Sequence, residues 1–103
     1  MLAECLDDVP ALVERASPAA VVVPIVVPKM ANGHFCANLR RRSPEAYLPI
    51  VAYDETSGLV RGFAWNAGCD QFVPRNLGAV ALCRELAWLI DIAEEITRRL
   101  FGA

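Results

Sequence analysis

Histidine occurs once in this chain, at position 34, and lysine once, at position 29. The first scarcity leaves one imidazole for any acid–base or metal chemistry; the second leaves arginine to carry nearly all the basic charge. No pair among Cys5, Cys36, Cys69 and Cys83 has C-x-x-C spacing, so the tightly paired ligands that announce structural zinc are missing. Gly33, Gly58, Gly62, Gly68 and Gly78 are scattered and form no phosphate cradle. No apolar run reaches the roughly 18 residues of a membrane span; the longest, Ala19 to Pro28, is far too short. A net charge of −2 and a pI near 5.3 argue against a globally basic nucleic-acid binder.

What the chain does have is apolar surface. Its 103 residues make one domain, of which 55% are hydrophobic. A chain of this length buries only about two thirds of its unfolded surface. Part of the apolar surplus is therefore expected outside, where contiguous patches mark contact sites. A protein partner, or a second copy as a homodimer, is the natural outlet. Glu4, Asp7 and Asp8 stand where a secretory signal needs positive charge. The expectation is a cytoplasmic chain with reduced cysteines.

Apolar spacing predicts a first helix capped by Asp7 or Asp8, with Pro10 in its first turn and its end near Ala16, where Ser17-Pro18 stops it. Val21 to Val27 is too rich in β-branched residues to be anything but a strand, and Pro24 puts it at a sheet edge or a bulge. His34 to Arg41 alternates, with Phe35, Ala37 and Leu39 on one side, and predicts a second strand. Tyr47–Tyr53 and Leu59–Trp65 read as a hairpin around residues 54–58, and Asn66 to Arg75 as a long loop. Asn76 is expected to cap a helix running to Phe101. The expected fold is α+β: a four-stranded, mostly antiparallel meander, with a short N-terminal helix and a long C-terminal helix across one face.

That last helix carries the candidate contact site. Leu82, Leu86, Leu89, Ala93, Ile96 and Leu100 form its core stripe. Trp88 and Ile92 lie off it, beside Arg84, Asp91, Glu95 and Arg99. An apolar ridge rimmed by charge is the anatomy of a binding hot spot. Burial of Trp88 against the N-terminal helix of the same chain would remove it. The stripe, broadened by Cys83, Ile90 and Ile92, suits packing on the chain's own sheet better than a coiled coil.

Three other constellations compete with plain structural roles. His34, Cys36 and Cys69 are the only route to a thiol nucleophile with a base, and no signature surrounds them. The same residues with Cys5 and Cys83 are the only pool for a metal. Arg40, Arg41 and Arg42 form a short basic run at the end of the expected second strand, the alternative route to a nucleic-acid contact, though without interleaved aromatics. The function expected is a non-enzymatic protein-binding module, adaptor or inhibitor, without cofactor or metal. Small inhibitors of phages and mobile elements, anti-CRISPR proteins among them, are compatible in scale, as a matter of class and not of any motif.

Overall fold

The computed structural model describes residues 9–24, 35–43, 46–54, 62, 64–65 and 68–102. Three short strands, β1 (Val21–Val23), β2 (Ile50–Asp54) and β3 (Gln71–Pro74), form one sheet in the order β1-β2-β3. Both pairings are parallel: Val21 stands opposite Ile50, and Val51 opposite Gln71. Helices α1 (Val9–Ala16) and α2 (Phe35–Arg41) precede β2, and the long helix α3 (Gly78–Phe101) follows β3 after a 3-10 turn, Arg75–Leu77.

The sheet is covered on both faces. Ile50 and Ala52 of β2 point, with Val21 and Val23, into a core that includes Val13 of α1 and Cys36 and Leu39 of α2. Val51 points the other way and, with Val73 of β3, packs on Leu82, Leu86 and Leu89 of α3. Ile50, Val51 and Ala52 are all 0% exposed. Two-sided burial is the setting in which parallel strands occur, since the crossover helices supply both covers. Each fully buried aliphatic side chain contributes about 1.5–3 kcal/mol.

This architecture overturns the four-stranded antiparallel meander. Both edges of β2 are occupied by parallel neighbours, so an antiparallel hairpin partner has no place beside it. Ala64 and Trp65, expected in that partner, are helical. Residues 35–41 are a helix and not a strand. Their buried residues, Cys36 and Leu39, are three apart, whereas Ala37, expected on the core side, is exposed. In so short a segment apolar spacing fits both periods. The expected loop Asn66 to Arg75 contains β3. The remainder of the Val21–Val27 strand beyond Pro24, residues 55–58 of the expected hairpin loop and the Asp7/Asp8 cap lie outside the described residues.

The helix ends agree more closely with expectation. α1 ends at Ala16, with Ser17 in a left-handed conformation (φ 46°) and its N–H donating to the Val13 carbonyl at 3.0 Å. α3 has no side-chain cap hydrogen bond at Leu77, and Asn76 belongs to the preceding 3-10 turn, so the expected cap is displaced. Its other end is closed by Gly102 (φ 73°), whose N–H donates to Arg98 O, a glycine C-cap with Arg98 and Arg99 on the negative helix pole. At about 1.5 Å per residue α3 is roughly 36 Å long, close to the longest dimension of the molecule, 39 Å. Leu100 and Phe101 consequently lie past the sheet and are exposed.

The two-sided core predicts a sharp contrast in urea unfolding. Ile50→Ala should cost about 2–5 kcal/mol, whereas Leu100→Ala, formally on the same stripe as Leu89, should stay within about 0.5 kcal/mol.

Candidate functional site

α3 presents its stripe to the sheet and leaves a second apolar flank outside. At about 100° per residue, Ala81, Trp88 and Ile92 fall within a band about 40° wide. Trp88 is 56% exposed and Ile92 half-buried. Leu77, at the end of the 3-10 turn, and Val80 continue the exposed apolar surface toward the helix start. The expected rim residues are placed unequally. Arg84 and Arg99 are exposed. Glu95 accepts from Arg99 at 3.0 Å and is also bonded to Arg98. Trp88 does not cover α1, which packs with α2 on the opposite face of the sheet.

The Arg40–Arg42 run does not form one basic surface. Arg40, half-buried near the end of α2, donates from Nε to Leu48 O (3.2 Å) and from one terminal nitrogen to Gly68 O (3.1 Å). Its other terminal nitrogen reaches Asp70 Oδ2 at 2.7 Å, and its guanidinium lies over the Tyr47 ring at 5.2 Å. Arg42 pairs with Glu14 of α1 at 3.0 Å, an exposed ion pair worth under about 1 kcal/mol. Arg41 is exposed.

Asp70 collects what Arg40 begins. Its carboxylate also accepts from the Ile50 N–H at 2.7 Å and from the Tyr47 hydroxyl. Its own N–H donates to Ile50 O at 2.8 Å. One side chain therefore ties α2, the approach to β2 and the start of β3. Tyr47 answers to this environment: burial, then its hydrogen bond to Asp70, pushes its hydroxyl up to about 12. The Tyr47 N–H in turn donates to Thr97 Oγ1 of α3 at 3.0 Å.

Beside the knot the thiols of Cys36 and Cys69 meet at 3.7 Å, both buried. Gly68 makes the approach possible. Its φ of +92° favours glycine, and a Cβ there would stand 3.2 Å from the Cβ of Cys36. The shared bond links the two titrations. Cys36 holds its proton far above the ordinary thiol range, first because of its hydrogen bond with Cys69 and then because it is buried. Cys69 is lowered by the same bond, against burial and the Asp70 charge. His34, the expected base, lies outside the described residues. Among the described residues no three His, Cys, Asp or Glu side chains are grouped to hold a metal, and no helix is long and apolar enough to cross a membrane.

A groove of about 440 Å³ runs between Ile90, Ala93, Glu94 and Thr97 of α3 and the segments entering β1 and β2, including Pro18, Ala46 and Tyr47. Two polar groups of its wall are bonded within the chain: Thr97 Oγ1 donates to Ala93 O at 2.7 Å, and the Tyr47 hydroxyl donates to Asp70.

Compared with protein-family models, with curated proteins and with solved structures, the chain matches none. Sequence reasoning missed the Tyr47–Arg40–Asp70 knot and the exposure of Trp65, at 77% the most open large apolar side chain described. The one available signal was Gly68-Cys69-Asp70 itself: a glycine, a small apolar thiol and a carboxylate in a segment entering a strand.

Two measurements test the knot. Tyr47 holds its proton more tightly folded than unfolded, so its contribution to stability is complete below the ordinary value of 10.0 and is lost as pH rises toward about 12. The phenolate absorbance difference between the protein and Tyr47→Phe should show no Tyr47 ionisation near 10.0; a midpoint there would contradict the Asp70 bond. Asp70→Asn removes the charge facing Arg40 and should cost about 2–4 kcal/mol in urea unfolding.

Proposed function

We propose that this chain is a protein-binding module, of adaptor or inhibitor type, that engages its partner through the outward flank of α3. Trp88 carries the reading. It sits mid-helix, 56% exposed, on the longest and most regular element of the fold. A rigid helix is a good platform for an anchor residue, because little conformational entropy is lost when it docks. Tryptophan and arginine dominate interface energetics, and Arg84 and Arg99 stand on the rim of this ridge.

The charge order along the flank supports a second copy of the chain as one such partner. Arg84 lies a turn before Trp88 and Glu95 two turns after it. An antiparallel pairing of two α3 helices would bring Arg84 of each copy alongside Glu95 of the other, with both Trp88 side chains near the two-fold axis. Such self-complementary contacts are what a closed dimer requires.

Trp88→Ala separates contact from folding. Sedimentation across a concentration series, or titration with an isolated partner, should show association weakened about 30-fold or more, the scale of a hot-spot residue. Stability in urea should change by no more than about 0.5 kcal/mol. A large loss of stability with unchanged association would sink the reading.

A further inference from the structure

We propose that Cys36 and Cys69 form a reversible intramolecular disulfide by exchange with a low-molecular-weight disulfide such as oxidised glutathione. The inference is independent of the α3 flank, which lies on the other face of the sheet.

The two sulfurs are already in contact at 3.7 Å, and closure to the bonded distance of about 2.05 Å is a matter of side-chain rotation and a small backbone adjustment. The segment is already drawn onto α2 at two points next to Cys69. Arg40 holds the Gly68 carbonyl at 3.1 Å, and the missing side chain of Gly68 lets the backbone lie against Cys36. Asp70, on the other side of Cys69, is anchored to Arg40 and to the start of β2. The thiols are thus held face to face by a knot that does not depend on them.

The pair is also asymmetric in exposure, which sets the order of the two steps. Cys69 is 7% exposed and Cys36 0%, so the reagent meets Cys69 first. Either thiol can donate in the contact between the sulfurs; when Cys36 donates, the Cys69 thiolate is the favoured attacking group. In the first step the Cys69 thiolate attacks one sulfur of the glutathione disulfide. The S–S bond breaks, one glutathione leaves as thiolate and takes up the proton Cys69 lost. In the second step Cys36 loses its proton and attacks the Cys69 sulfur of the mixed disulfide. The second glutathione leaves and is protonated. The protein's two thiols are oxidised by two electrons, and one glutathione disulfide is reduced to two thiols. Dithiothreitol runs the sequence backwards.

The test uses the full chain carrying Cys5→Ser and Cys83→Ser, so that only the pair remains. After incubation with oxidised glutathione and alkylation in denaturant, the intact mass should show two hydrogens lost and no alkyl group added, and a non-reducing peptide map should join Cys36 to Cys69. The urea midpoint should rise on oxidation and return with dithiothreitol, because a cross-link that fits the native state constrains the unfolded chain. In the same background Cys36→Ala should stop at a glutathione adduct on Cys69, and Cys69→Ala should leave Cys36 unmodified in the folded state. Two thiols still fully alkylated after denaturation, a glutathione adduct persisting on the unsubstituted pair, or a midpoint that falls on oxidation would each overturn the proposal. The mass readout on the unsubstituted pair stands whether or not either alanine variant folds.

Discussion

Ile50, Val51 and Ala52 meet no water on either side of the sheet, and most of the architecture follows from that. A strand buried on both faces must pair its backbone polar groups with neighbours on both edges, and β1 and β3 do so. Its two faces must each be covered by an element that brings its own apolar surface. α1 and α2 take one face and α3 the other. Because α3 needs only its stripe for this, its remaining circumference is free to be polar or, as at Trp88, apolar and exposed. The outward ridge is therefore a consequence of how little of the helix the sheet consumes.

Polar groups organise the other end of the strands. Asp70 is held by Arg40, Tyr47 and the Ile50 N–H, each a hydrogen bond that would be costly to leave unmade in a half-buried site. The cluster brings together residues from α2, from the approach to β2 and from the start of β3. A mixed knot of this kind gives register as well as stability: sliding β3 past β2 would strand the carboxylate. The meeting of Cys36 and Cys69 is a by-product of that registration, aided by a glycine that lets two backbones touch. The dithiol and the Trp88 ridge occupy opposite sides of the sheet, so chemistry at one does not block contact at the other.

Some of this is legible in the residues and some is not. α1 ends where Ser17-Pro18 says it should, and α3 follows its periodicity to Gly102. The run Val21-Val22-Val23 and the run Ile50-Val51-Ala52 are continuous apolar strings, the mark of strands covered on both faces. A half-wet antiparallel sheet would alternate apolar and polar residues instead. α2 reads equally as a strand because seven residues are too few to separate a period of two from one of 3.6. β3 does not stand out from a loop because only two residues, Phe72 and Val73, pack inward between Asp70-Gln71 and Pro74.

Local chemistry alone determined where the two terminal helices end, the strand character of the valine run and the tryptophan off the helical stripe, since propensity, C-caps and periodicity act within a few residues. Only the tertiary structure decided strand direction, the fate of Arg40 as an internal clamp and the encounter of two thiols thirty-three positions apart. Those outcomes depend on which faces are covered and which acceptors lie within reach across the fold. No spacing along the chain encodes either.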